Sequence, residues 1–180
     1  MVKNYKISTP FFEFGPKAYL YGDKLLELMK KIDTYAEKYD MDVIADVQTT
    51  DLRLIAENTS DRIHVYSQHM DSIPVGRGMG TILPEAVKAT GAVGVMLNHA
   101  ECKLTLDEIK KAIERADEVG LATIVCADTE EEIKAVAEMN PNIVVAEPSE
   151  LIGTGISVGR EYVDACIELV KSVNPEIMVL

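Results

Sequence analysis

The chain has 180 residues, 47% of them hydrophobic and 27% charged, which suits one compact domain with a sizeable core. Its 18 Lys and Arg stand against 30 Asp and Glu, and the resulting net charge of −12 argues against a nucleic-acid backbone as partner. Three scattered cysteines without zinc-ligand spacing, no signal-peptide core and no membrane-length apolar run lead us to expect a cytoplasmic protein that neither spans nor binds a membrane.

In chain order, residues Val2–Lys6 read as a short strand and Ile7–Gly22 as a long aromatic, Pro-containing loop. Asp23–Tyr39 carries Leu25, Leu26, Leu28, Met29, Ile32 and Tyr35 near helical spacing, which predicts an amphipathic helix. A strand follows at Asp42–Val47, then a helix at Asp51–Glu57 with Thr49 or Thr50 as cap, and a strand at Ile63–Ser67. After the Gly-rich loop Ile73–Gly80, Pro84–Thr90 is helical and stops at Gly91. Val93–Leu97 is an apolar strand, and Thr105-Leu-Asp-Glu108 is a capping box that opens a helix to Val119. The remaining elements are a strand at Ala122–Cys126, a helix at Thr129–Met139 opened by a second capping box, Thr129-Glu-Glu-Glu132, a strand at Asn142–Ala146, a helix at Gly159–Val173 and a last strand beginning at Ile177.

Apolar strands alternating with helices predict a parallel sheet covered on both faces, either doubly wound or closed. We read six βα units plus a seventh strand, 1–180 being a single domain. A (β/α)8 barrel typically takes about 250 residues. The expectation is therefore an incomplete barrel, the amino-terminal portion of a longer one that lacks the final βα units.

Functional side chains of such a sheet gather at the carboxyl ends of its strands. The most informative stretch is Asn142-Ile-Val-Val-Ala-Glu147-Pro148, followed by Ser149-Glu-Leu-Ile-Gly153-Thr-Gly155. Glu147 ends an apolar strand, Pro148 fixes the first step of the loop, and Gly153 and Gly155 supply hinge freedom and approachable backbone. An ordinary strand-to-helix connection is the plain alternative. Asn4 and Lys6 share parity on the first predicted strand, and Asn98-His99-Ala100-Glu101 ends the fourth. For proton abstraction beside a carbonyl, Glu147 would serve as general base and His99 as donor to the substrate oxygen. Lys6 and Asn4 would stabilise the enediolate charge. Taken singly, His99 could be a core histidine, and Lys6 or Glu101 half of a structural ion pair.

Other motifs carry less. Gly76-Arg-Gly-Met-Gly80 lacks the spacing of a dinucleotide loop, and alternation puts His64 and His69 on opposite strand faces, against shared metal ligation. Glu130-Glu-Glu132 suits a helix start.

Asn4-Tyr-Lys6, Asn98-His-Ala-Glu101 and Ala146-Glu-Pro-Ser-Glu-Leu-Ile-Gly-Thr-Gly155 resemble triosephosphate isomerases of the archaeal type, with support from Asp51–Glu57, Tyr66-Ser-Gln-His69, Leu83–Val87 and Gly91–Gly94. The resemblance runs over essentially the whole chain and implies a TIM barrel. It implies a glutamate base and a neutral histidine electrophile, the pairing for which that enzyme is the standard example. By position, Glu147 is the base, His99 the electrophile, Lys6 the electrostatic anchor and Asn4 a substrate contact. Glu101 is a supporting partner, the Gly153 amide meets the phosphate, and Pro148, Ser149, Glu150, Leu151, Ile152, Gly153, Thr154 and Gly155 form the closing lid.

The implied reaction interconverts glyceraldehyde 3-phosphate and dihydroxyacetone phosphate without metal or other cofactor. A small phosphosugar is the expected partner, and the longer protein is expected to be a homo-oligomer, dimer or tetramer. An isomerase for a tetrose phosphate and an inactive barrel fragment or scaffold are the alternatives. Four features depart from the family pattern: Ala100 in place of the usual Ser, Met79 in place of a loop-tip Thr, the long first loop with Pro10-Phe-Phe-Glu-Phe-Gly-Pro16, and the family's phosphate-binding loops after strands seven and eight, which are expected beyond Leu180.

Overall fold

The structure is a computed structural model that describes residues 1–3 and 5–180. Seven parallel strands run β1 Phe12–Phe14, β2 Val43–Val47, β3 Ile63–Ser67, β4 Gly94–Leu97, β5 Ala122–Ala127, β6 Ile143–Ala146 and β7 Met178–Val179. They pair in sequential order from β1 to β7. Helices α1 Gly22–Tyr39, α2 Leu52–Ala56, α3 Pro84–Ala89, α4 Leu106–Val119, α5 Glu130–Glu138 and α6 Arg160–Val173 lie between them. This is a curled parallel sheet of alternating strands and helices, an incomplete (β/α) barrel with β1 and β7 as its edges.

Two apolar layers follow from strand alternation. The larger joins the convex face of the sheet to the helices through Leu25, Met29, Val47, Leu52, Ile109, Ile113, Val125 and Val170. The smaller lines the inside of the curve with Ile44, Tyr66, Met96, Ile124, Cys126 and Ile143. Helix α4 shows how sequence sets this packing. Ile109, Ala112, Ile113 and Ala116 recur at helical spacing and are all buried. Thr105 and Glu108 close a reciprocal capping box, and Gly120 ends the helix at φ 75°, where a side chain would be strained. Each large aliphatic side chain so buried contributes about 1.5–3 kcal/mol.

The amino terminus corrects the sequence reading. The described residues of Val2–Lys6 form no strand; the first strand is Phe12–Phe14, within the stretch read as loop. The segment before it straps the amino-terminal end of the sheet. Asn142, at the start of β6, accepts from the Val2 N–H at 3.3 Å and donates to the Val2 carbonyl at 3.2 Å. The Ser8 N–H donates to the Asp42 carboxylate at 2.7 Å. Tyr5, Ile7 and Phe11 then pack beneath the inner layer, with the Tyr5 hydroxyl 3.4 Å from Nδ1 of His64. Sheet pairing starts only at Phe12, whose N–H donates to the Asp42 carbonyl at 3.1 Å. Asn4 lies outside the described residues.

Two expected caps also differ. Neither Thr49 nor Thr50 caps α2; its flanking residue is Asp51, whose carboxylate accepts instead from the Gly22 N–H at 2.9 Å. Thr129 does cap α5, yet the Glu132 carboxylate turns to the Asp128 N–H and to Asn98.

Candidate active site

A cavity of about 420 Å³ opens at the carboxyl ends of the strands. Lys17, His99, Glu101, Glu147 and Ile152 line it, together with Glu13, Asp46, Gln48 and Gln68. His99 and Glu147 are thus brought together as the sequence predicts.

The loop after β4 is built around Asn98. This residue is fully buried and adopts φ 58°, a conformation asparagine tolerates better than most residues. Its amide nitrogen donates to the Cys126 carbonyl at 2.8 Å and to Glu132 at 3.1 Å, and its oxygen accepts from the Leu104 N–H at 2.9 Å. Asn98 therefore clamps both ends of the turn that presents His99 and Glu101. The Glu101 N–H donates to Nδ1 of His99 at 3.1 Å. That bond needs a lone pair on Nδ1, which assigns the proton of a neutral imidazole to Nε2.

Lys6 is not at this site. It is exposed on the strap at the opposite end of the sheet. The lysine brought to the cavity is Lys17, in the loop after β1, and its φ of 50° lies in the left-handed region. Such backbone costs of order 1–2 kcal/mol and persists when neighbours enforce it. Here Gln48 after β2 and Gln68 after β3 both donate to the Lys17 carbonyl, at 3.2 and 3.0 Å. The Lys17 ammonium reaches Glu101 at 2.8 Å. That hydrogen bond raises the affinity of Lys17 for its proton, and the charge of Glu147 adds to it. Conversely, the Lys17 bond holds the Glu101 carboxyl below its usual range.

Sequence reasoning missed Lys17, Gln48 and Gln68. All three follow strands, and the punctuation Gly15-Pro16 after an aromatic run was the signal for the first.

Glu147 follows β6, and its N–H donates to the Ala127 carbonyl at 3.1 Å, so the β5–β6 ladder fixes its backbone. The segment after it begins with a short 3₁₀ turn at Ser149–Leu151, pinned by Asp128, which accepts from the N–H and the hydroxyl of Ser149, the latter at 2.6 Å. These two bonds hold the Asp128 carboxyl below its ordinary range. Past the turn, Gly153 and Gly155 take φ 77° and 75°, with open space where a Cβ would stand. Glu150 and Leu151 belong to the 3₁₀ turn, and Thr154 donates its N–H back to the Leu151 carbonyl at 3.2 Å.

The remaining polar neighbours are His69 and Cys102. The Cys102 thiol lies 3.9 Å from Nδ1 of His69, whose Nε2 is 3.8 Å from Asp71. Burial pushes the Cys126 thiol up to about 12, so it remains protonated at neutral pH. His64 sits at the other end of β3 beside Asp42 and Tyr5. No helix is long and apolar enough to cross a membrane among the described residues.

The family model described as "Triosephosphate isomerase" matches residues 15–178, a span that begins at the loop bearing Lys17. The chain belongs to the triosephosphate isomerase family. It is 40% identical to the triosephosphate isomerase of Methanobacterium bryantii over 177 residues, which cover 96% of this chain and 77% of that protein. The triosephosphate isomerase of Methanothermus fervidus is 38% identical over 88% of this chain and 72% of its own length. That of Sulfurisphaera tokodaii is 37% identical over 93% of this chain and 73% of its own length. In this member of the triosephosphate isomerase family, a carboxylate, an imidazole and an ammonium line one cavity.

Proposed function

We propose that this chain is an aldose–ketose isomerase that interconverts glyceraldehyde 3-phosphate and dihydroxyacetone phosphate, the whole of 1–180 acting as one domain. Glu147 takes the proton from the carbon beside the carbonyl. His99 donates its Nε2 hydrogen to the carbonyl oxygen, and Lys17 stabilises the negative charge of the enediolate. Returning the proton to the neighbouring carbon completes the exchange. The segment 148–155 closes over the substrate, with the Gly153 amide on the phosphate.

The observation that carries this reading is the joint placement of His99, Glu147 and the Lys17–Glu101 pair around one cavity. The test is turnover of glyceraldehyde 3-phosphate by the purified chain and by Glu147→Gln. Activity in the first and its loss in the folded second supports the reading. Equal rates in both, or none in either, overturn it.

Assembly as a homo-oligomer and residence in the cytoplasm belong to the same proposal. Three free cysteines fit a reducing compartment. Val75 and Met79 stand exposed on the loop between β3 and α3 and offer an apolar contact. Sedimentation of the wild-type chain and of Met79→Asp tests the assembly.

A further inference from the structure

The floor of the cavity holds a feature that the isomerisation does not use. Ile44 and Asp46 of β2 and Gln48 just after it share the inner face by alternation, and Asp46 lies one layer, roughly 7 Å, below the glutamine that grips Lys17. Asp46 is 1% exposed, and neither of its carboxylate oxygens has a hydrogen-bond partner among the described residues. Native structures rarely leave such a group unanswered, because its desolvation alone costs about 1–3 kcal/mol. The cation lining the same cavity, Lys17, is bound to Glu101.

Glu13 is the second group at this level. It faces inward from β1, opposite Ile44 in the strand register, and lines the cavity with Asp46. Its side chain rises past Gly15, because a Cβ placed on Gly15 would come within 3.0 Å of the Glu13 Oε1. A side chain at position 15 would therefore crowd the Glu13 carboxylate and shift it by a few tenths of an ångström. Burial first, then the Glu13 charge, and third the approach of the Glu13 carboxyl itself, push the Asp46 carboxyl well above the ordinary range, although that approach falls short of a well-formed hydrogen bond. A neutral Asp46 donates one hydrogen bond while the Glu13 carboxylate accepts another. One alcohol, which both accepts and donates, satisfies that pair.

We propose that Asp46 and Glu13 form a subsite for a substrate hydroxyl at the end remote from the phosphate, so that the substrate range extends to four-carbon phosphosugars. The placement of the phosphate at the mouth, and hence of the extra carbon at the floor, rests on the isomerase reading above. A site built around a hydroxyl discriminates strongly against the analogue that lacks it, since its buried polar groups are then left unpaired.

Calorimetry with two polyol phosphates tests this without requiring turnover. Erythritol 4-phosphate and glycerol 3-phosphate differ by one hydroxyl-bearing carbon, and neither has a carbonyl to isomerise. The wild-type chain should bind the four-carbon ligand at least tenfold more tightly. Asp46→Val should bring the ratio near one, whereas the nearly isosteric Asp46→Asn, whose amide still donates and accepts a hydrogen bond, should keep a preference for the four-carbon ligand. Gly15→Ala, which displaces the Glu13 carboxylate, should lower the ratio. Equal affinities in the wild type, no measurable binding of either ligand, or a preference that survives Asp46→Val overturns the subsite. Turnover of glyceraldehyde 3-phosphate by the same preparation separates the two ideas. Turnover with equal polyol binding rejects the subsite alone, whereas a tenfold preference without turnover rejects the isomerase reading alone.

Discussion

Glu101 and His99 are joined through the backbone, the Glu101 N–H donating to Nδ1 of His99 at 3.1 Å while the Glu101 carboxylate holds the Lys17 ammonium at 2.8 Å. One residue thus sets the tautomer of the imidazole and the position of the cation. Lys17→Ala should lower kcat/KM about 100-fold or more with little change in Tm, as expected for loss of a charge that meets the developing anion. Lys6→Ala, on the far side of the sheet, should leave kcat/KM within about twofold. Steady-state kinetics on both variants checks this, and the reverse ranking would return the anchor role to Lys6.

Shortening the base tests the other arm. Glu147→Asp should reduce kcat by about 100-fold or more, because retreat by one methylene takes the carboxylate out of reach of the carbon-bound proton. Its thermal unfolding should match the wild type. A parallel loss of stability would mark Glu147 as a folding residue.

Gly153 and Gly155 hold left-handed backbone. Gly153→Ala puts about 1 kcal/mol or more of strain into the segment without any steric clash. The expected effect is a several-fold rise in KM or in the dissociation constant of an anionic substrate mimic. Unchanged binding would remove Gly153 from the phosphate contact.

The pin at the base of the same segment is sensitive to acid. Two hydrogen bonds from Ser149 lower the Asp128 pKa in the folded state. Their contribution is present above the ordinary carboxylate range and is lost as pH falls through the depressed folded value. Amide-exchange protection at Ser149, corrected for intrinsic rates, should therefore drop on acidification and should lose that dependence in Asp128→Asn.

Asp46 works in the opposite direction. Its folded pKa lies well above the ordinary aspartate value of 3.8, so the folded chain holds a proton there that the unfolded chain releases. Stability from this group is highest below 3.8 and declines as pH rises toward the folded value. Asp46→Asn should unfold at a higher temperature than the wild type at pH 8, by on the order of 1–2 kcal/mol in stability, with the gap closing near pH 4. Denaturation curves at the two pH values decide it.

Periodicity and end signals in the sequence were enough to locate the helices and most strands. The capping box at Thr105, the strand Ile63–Ser67 and Glu147 after an apolar run are local patterns, and local physics places them. His99 and Glu101 were legible because they follow a wholly apolar strand. Lys17 was not, because Lys6 and Lys17 both stand near the amino terminus within reach of a first strand, and local pattern gives no reason to choose between them. The choice is made at long range: Asn142 and Asp42 capture the segment around Lys6 as a strap, and β2 pairs with Phe12–Phe14 ahead of Lys17. Gln48 and Gln68 were hidden for a related reason, since their target is a carbonyl, which no sequence spacing announces.

The two glutamine amides that converge on the Lys17 carbonyl have a further consequence. They tether the ammonium-bearing half of the cavity to two neighbouring strands, whereas the carboxylate of Glu147 stands at the root of a segment with glycine hinges. The cationic wall is thus held by long-range bonds, and an anion entering the cavity meets a charge already in position.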